Sequence, residues 1–166
     1  MKASRSSQPS QQESSDGPKL ILHSPGAPAL RLGLGPGCRP VGAIRQLRNL
    51  LDQHSFWATG RSDGRLKQML QFSQAAVTAW DGDSLVGFSR ATSDGIYRAV
   101  LWDVVINTRY QRQGLGRRLV SQLLEAPRLR NVERIYLMTT NSEKFYERLG
   151  FERSALQKTL VKISEN

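Results

Sequence analysis

Residues 102–124 read WDVVINTRYQRQGLGRRLVSQLL. The stretch passes from an apolar, β-branched run through a turn of Arg, Gln and Gly into a helix whose Leu115, Leu119, Val120, Leu123 and Leu124 form one stripe. A helix start leaves several N–H groups without intrahelical partners and carries the positive end of the peptide dipole. Arg109, Arg112, Arg117 and Arg118 bracket this one. Bare backbone, a dipole and arginines at one junction suit an anion, with phosphate the first candidate.

Upstream of the stretch, AAVTAW, SLVGFSRAT and IYRAVLWDVVIN are β-rich runs separated by Asp81-Gly82 and Ser93-Asp94-Gly95, which predicts an antiparallel meander. Downstream, RIYLMTT reads as a further strand, and the order strand, helix, strand implies a parallel pair with a right-handed crossover. SEKFYERLGF predicts a short helix that starts near Asn141 or Ser142 and stops at Gly150, and a last strand or two is expected within residues 151–163. Val41, Ile44, Leu47, Leu50 and Leu51 predict one helix, and Leu66, Met69 and Leu70 a second over residues 63–72. The loop between them, HSFWATGRS, holds His54, Phe56 and Trp57, which either line a binding site or pack over the core. Nearer the N-terminus, ALRLGL (29–34) alternates as a first strand should.

The remaining composition narrows the class. A chain of 166 residues fits one ordinary domain, expected over 18–166, after a Ser- and Gln-rich tail at 1–17 that is expected to be disordered. With Cys38 as the one cysteine, an intramolecular disulfide and a Cys-rich zinc site are excluded, and no metal is expected. No apolar run approaches the roughly 20 residues needed to cross a bilayer, so a soluble cytoplasmic protein is expected. The plastid stroma is the alternative, although Glu13 and Asp16 sit poorly in a transit peptide. The net charge of +10 attracts polyanions, leaving nucleic acid, an acidic protein and a phosphorylated cofactor in play. Aromatics at 7% and the lack of an RNP, zinc-finger or helix-turn-helix signature make nucleic acid the weakest of these. The sequence does not indicate the oligomeric state, monomer or homodimer.

Gln111-Arg112-Gln113-Gly114-Leu115-Gly116 resembles the Q/R-x-x-G-x-G/A signature of the GNAT superfamily of acyl-CoA-dependent N-acetyltransferases. NSEKFYERLGF, Asn141 to Phe151, resembles that family's N-x-x-x-x-F-Y-x-x-x-G-F segment. Order, separation and context of the two agree, and the resemblance covers about Ala75 to Phe151. The phrasing of RATSDGIYRAVLWDVV and YLMTTN is similar to cyanobacterial and plastid-type members, a subgroup that includes serotonin (arylalkylamine) acetyltransferases. The resemblance implies a mixed α/β fold, with a mostly antiparallel central sheet flanked by helices, whose fourth and fifth strands are parallel and splayed.

It also implies acetyl-CoA as co-substrate and a primary amine as acceptor, either a small arylalkylamine or a protein lysine or N-terminal amine. Gln113, Gly114, Leu115, Gly116 and Arg117 would present backbone amides to the pyrophosphate, with Arg112, Arg117 and Arg118 adding charge-assisted contacts. Val104, Val105 and Ile106 would pair with the pantetheine arm as an added strand does. Asn141 stands at the family's cofactor-contacting asparagine. Tyr146 stands at its proton donor to the departing thiolate, the alternative being a core tyrosine beside Phe145.

The incoming proton transfer has a weaker mark. An amine of pKa near 10.4 is about one part in 2,500 neutral at pH 7, a cost of roughly 4.6 kcal/mol unless a base or the site removes the proton. Asp103 is the candidate base within the strand, yet a structural ion pair with an arginine explains a buried carboxylate equally well. His54, through water, is a second candidate. IYLMTTN holds no acidic residue where some relatives place their base. A non-catalytic acyl-CoA sensor on the same fold is the competing reading.

Overall fold

The structure, a computed structural model, describes residues 17–164, so the expected tail lies outside the described residues but for Gly17. The meander is formed by β2 (Ala75–Asp81), β3 (Ser84–Ser93) and β4 (Arg98–Ile106). Its first turn places Gly82 at φ +56°, which glycine adopts without a Cβ penalty. In the second, one carboxylate oxygen of Asp94 accepts the N–H groups of Ile96, Tyr97 and Arg98. β1 (Lys19–His23) runs antiparallel to β2, and β5 (Arg134–Tyr136) runs parallel to β4, giving the order β1-β2-β3-β4-β5.

Helices cover both faces. On one side α1 (Pro28–Arg31), α2 (Ala43–His54) and α3 (Asp63–Gln71) bury Leu30, Leu47, Leu51, Leu66 and Leu70 with Trp80, Phe88 and Val105 of the sheet. On the other α4 (Leu115–Leu124) buries Leu115, Leu119, Val120 and Leu123 with Val77, Ala79, Ala99 and Leu101. The short α5 (Glu143–Glu147) adds Phe145 and Tyr146 to this second layer. Two-sided burial explains why AAVTAW is almost continuously apolar rather than alternating. Gly87 leaves room on the α4 face for its neighbours in the sheet, because a Cβ there would lie 3.0 Å from Ile106 Cδ1 of β4 and 3.1 Å from Ala79 Cβ of β2.

Two features of β4 open a cleft. Arg90 pairs with Trp102 and Phe88 with Val105, so Ser89 alone opposes Asp103 and Val104. The extra residue is a bulge with Asp103 at φ +51°. It inverts the strand's parity: Ala99 and Leu101 face α4, whereas Val105, which a regular strand would place on that same face, joins the α2 side. Pairing with β5 ends at Val100↔Tyr136, so the rest of β4 has a free edge where the two parallel strands part.

Three expectations need correction. Residues 29–34 are not the first strand: Pro28 takes the first helical position, where its missing N–H costs nothing, and α1 forms instead. The LIL segment supplies β1. The strand expected from RIYLMTT is only three residues long, because β4 diverges and leaves it nothing to pair with beyond Tyr136. No strand forms over 151–163: Phe151 packs on Tyr146, and beyond it Leu156, Leu160, Val161 and Ile163 are exposed, their uneven spacing giving no apolar face to bury.

At the β1–β2 junction His23 Nε2 and Trp80 Nε1 both lie 2.8 Å from Thr78 Oγ1. Burial pushes the His23 pKa down to about 4. The folded state therefore binds this proton less readily than the unfolded chain. The contribution to stability is complete above the unfolded value of about 6.5 and is lost as pH falls from there towards 4, on the order of 3 kcal/mol in all. Urea unfolding of the wild type should accordingly weaken more between pH 7 and pH 4.5 than that of His23→Gln. Equal losses would contradict this placement of His23.

Candidate active site

A cavity of about 950 Å³ opens where β4 leaves β5. Val104, Val105 and Ile106 form one wall, and the turn into α4 supplies Arg112, Gly114, Gly116 and Arg117. α5 and its flanks supply Asn141, Phe145 and Tyr146, and the end of α2 with the loop after it supplies His54 and Trp57. Residues far apart in sequence thus meet at one strand edge.

The turn is braced from within. Gln111 Nε2 donates to Ile106 O at 3.1 Å, and Gln113 Nε2 to Arg109 O at 2.9 Å. Gly114 is the N-cap residue of α4 at φ +81°, and no side chain caps the helix. The first-turn N–H groups are thereby left for a ligand. The two glycines serve different ends: Gly114 is required by its φ and faces open space, whereas a Cβ on Gly116 would point at Phe145 Cζ, 3.5 Å away, and at Ile106. Leu115 does not line the cavity, its side chain being buried in the core. Of the arginines, Arg112 and Arg117 line the cavity. Arg118 turns away, with Nη2 donating to Pro18 O at 3.3 Å beside β1.

Tyr146 stands with its ring edge-on to Phe145 (4.9 Å between centroids) and to Phe151 (5.9 Å). Burial raises its pKa, with no charged or hydrogen-bonding neighbour contributing. The phenol is therefore protonated at neutral pH and open to the cavity it lines. Asn141 is exposed at the same rim, its Oδ1 accepting from Ser142 Oγ at 3.3 Å.

Asp103 is buried at the bulge, where its Oδ2 accepts from Arg90 Nε at 2.7 Å and from Arg61 Nη1 at 3.0 Å. Burial pushes its pKa up, but the hydrogen bonds and charges of Arg61 and Arg90 outweigh this and hold it below the usual carboxylate range. The pairing is complete at neutral pH, above the unfolded value, and is lost only as pH falls through the depressed folded value. Arg90 also lies over the Trp102 ring, 5.8 Å from its centroid.

His54 is the last residue of α2 rather than part of the loop, and its Nδ1 accepts a long contact of 3.5 Å from the Thr108 N–H. In the neutral ring this places the proton on Nε2. Phe56 and Trp57 meet edge to face at 5.1 Å and do not pack over the core: they are 72% and 51% exposed. Trp57 lines the cavity and Phe56 stands beside it. Lys144 and Arg148, four residues apart on one face, also reach the cavity, as does Gln111. The four-residue spacing between Lys144 and Arg148 in the predicted short helix was the available signal for the first two.

The family model described as Acetyltransferase (GNAT) family matches residues 44–151, well over half of the chain, and the chain belongs to that family. It is 44% identical over 69 residues to the GCN5-related N-acetyltransferase 2, chloroplastic, of Arabidopsis thaliana, a match covering 41% of this chain and 27% of the relative. It is 41% identical over 69 residues to the histone acetyltransferase TAP1 of Glycine max, with 41% of this chain and 30% of the relative covered. A ycf52-like uncharacterized N-acetyltransferase of Prochlorococcus marinus is 35% identical over 92 residues, with 52% and 51% covered. The matches thus span about a quarter to a half of these relatives. A crystal structure of a GNAT-family protein from Xanthomonas campestris pv. campestris shares the fold with a TM-score of 0.66 at 21% identity, covering 88% of this chain and 96% of that one.

The residues present fit the family's acyl-CoA: an uncapped helix start, two arginines at its rim and a strand with a free edge meet in one cavity. Arg117→Ala should weaken acetyl-CoA binding about tenfold, the loss expected of one charge-assisted hydrogen bond, whereas Arg118→Ala should leave it within twofold. Titration calorimetry distinguishes them, and equal effects would contradict the separation of these neighbours.

Proposed function

We propose that the chain transfers an acetyl group from acetyl-CoA directly to the primary amine of an arylalkylamine within a ternary complex. The observation that carries this reading is the convergence in one cavity of the uncapped α4 start, the free edge of β4 and the Tyr146 phenol. When bound, acetyl-CoA supplies an activated thioester, so that an N–C bond forms as the C–S bond breaks, one proton leaving the nitrogen and one reaching the sulfur. Tyr146 delivers the second of these, a phenol being protonated at neutral pH and this one lining the cavity. The backbone of Val104, Val105 and Ile106 aligns the acyl arm, and a strand N–H steadies the carbonyl oxygen as charge develops on it. Main-chain pairing asks for no particular side chain there.

The proton leaving the amine goes to solvent by way of His54 and a water, imidazole being the side chain suited to relay protons at neutral pH. Taking it up at Nδ1 releases only the long Thr108 contact. Asp103 is not assigned this step: both arginines share its Oδ2 and favour its ionised form, which makes it a poor match to a proton acceptor working near pH 7.

The acceptor class follows from what surrounds the amine. Glu143 is the sole carboxylate among the lining residues, and Arg153 already holds both its oxygens at 2.9 and 2.8 Å. A polycationic substrate such as a histone tail therefore meets no free acid among the lining residues, whereas a flat ring finds Trp57, which Phe56 backs edge to face from outside the lining. The histone acetyltransferase name borne by the soybean relative supports a protein lysine as the second reading. The chloroplastic name of the Arabidopsis relative supports the plastid stroma as the setting over the cytoplasm.

Two measurements test the proposal. Purified protein should release CoA from acetyl-CoA faster with tryptamine than with a lysine peptide. Saturable acetyl-CoA binding without turnover on any amine would select the sensor reading instead. Tyr146→Phe should lower kcat about 100-fold, at the low end for a lost general acid, while the acetyl-CoA Kd stays within about twofold. A collapse of affinity with turnover of the bound complex retained would remove Tyr146 as proton donor.

A further inference from the structure

Asp103, which the proposed mechanism leaves without a proton to carry, makes two connections that the mechanism does not use. Its bulge begins the stretch of β4 that walls the cavity, and the same carboxylate reaches across to the segment between α2 and α3. That segment, residues 55–62, carries Phe56 and Trp57. Two of its hydrogen bonds are local: Ser55 Oγ donates to Leu51 O at 2.8 Å and Gly60 N–H to Asp52 Oδ1 at 2.9 Å, both holding the loop to its own helix. Ala58 is buried in the apolar core shared with Phe88 and Val105, a non-directional contact that draws the loop towards the sheet without fixing a polar register between them. Among the described residues the one hydrogen bond from this loop to the sheet is Arg61 Nη1 to Asp103 Oδ2, at 3.0 Å.

We propose that Asp103 and Arg61 are positioning residues that fix the acceptor loop against the strand aligning the thioester, so that one ion pair sets the distance between the two reacting partners. The inference rests on the transferase reading above. Three features favour a built connection over an incidental surface pair. The Asp103 side chain is 3% exposed, so water screens the pair weakly. It sits on a residue at φ +51°, a conformation that Asp tolerates better than most side chains and that turns this side chain, rather than an apolar one, towards α3. The same guanidinium lies 3.4 Å from Met69 Sδ of α3, which limits the directions from which Arg61 reaches the strand.

The division of labour at Asp103 Oδ2 makes the two arginines separable. Arg90 joins adjacent strands, β3 to β4, and keeps the buried charge partnered when Arg61 is removed. Arg61→Ala therefore leaves a folded protein with an intact bulge, whereas Asp103→Asn disturbs both connections. A small misplacement of bound partners is costly to rate, because positioning accounts for a large share of enzymatic acceleration.

The test combines kinetics with hydrogen exchange on the full chain. In Arg61→Ala the KM for tryptamine should rise at least tenfold or kcat fall by as much, while the calorimetric Kd for acetyl-CoA stays within twofold. Arg61→Lys, which restores the charge with fewer donors, should recover part of the loss. Independently of turnover, amides of residues 56–60 should exchange at least tenfold faster in Arg61→Ala, with β3 and α4 unchanged. Unchanged exchange in the loop would overturn the proposal, as would unchanged amine kinetics, or a loss confined to acetyl-CoA affinity. If the wild type binds acetyl-CoA yet acetylates no amine, the transferase reading fails, and the exchange comparison still decides whether Arg61 holds the loop.

Discussion

A single carboxylate oxygen, shared between two guanidinium groups, allows β4 to carry a left-handed residue. Without Arg61 and Arg90 a buried Asp103 would be an uncompensated charge, a defect that costs folded proteins about 3–5 kcal/mol. With them the bulge is stable, the parity of β4 inverts, and Val105 packs with α2 while Val104 and Ile106 turn towards α4. The last register pair of β4 with β5 lies three residues before Asp103, and the cleft starts there. The arrangement places a sheet edge, normally a liability in a folded protein, along one wall of the cavity.

The helix that follows completes that surface. Gly114 ends the turn at positive φ, no side chain occupies its capping position, and Gln111 and Gln113 tie the turn back to Ile106 O and Arg109 O. Amides and dipole are fixed before any ligand arrives, which lowers the entropic cost of binding one. The basic composition has a divided use: Arg112, Arg117, Lys144 and Arg148 reach the cavity, whereas Arg118 docks on Pro18 and Arg61 and Arg90 neutralise a buried acid. Net charge alone would have merged these roles.

Much of this was legible in the chain. The Asp-Gly turns marked the meander, and the apolar stripe of α4 and the two glycines of QRQGLG marked the cleft's floor. What could not be read has physical causes. The bulge is invisible in WDVV because apolar residues flank Asp103 whichever face each occupies, and only its distant partners, Arg61 and Arg90, show that it is held. Alternation in ALRLGL was outweighed by Pro28, which favours the first turn of a helix. The segment beyond Phe151 is β-prone in composition, yet a strand needs a neighbour, and β5 already diverges from β4 at Tyr136. His54 was expected in the loop but closes α2, because the last turn of an amphipathic helix extends past its final apolar residue.

On the proposed reading, acyl-CoA lies along the free edge of β4 with its phosphates on the start of α4. Hydrogen-exchange mass spectrometry of the protein with and without saturating CoA tests that placement. Slowed exchange is expected at residues 104–106 and 114–117, with β1 and β2 unaffected. A folded protein that shows no protection at either segment at millimolar CoA, or protection only elsewhere, would contradict it.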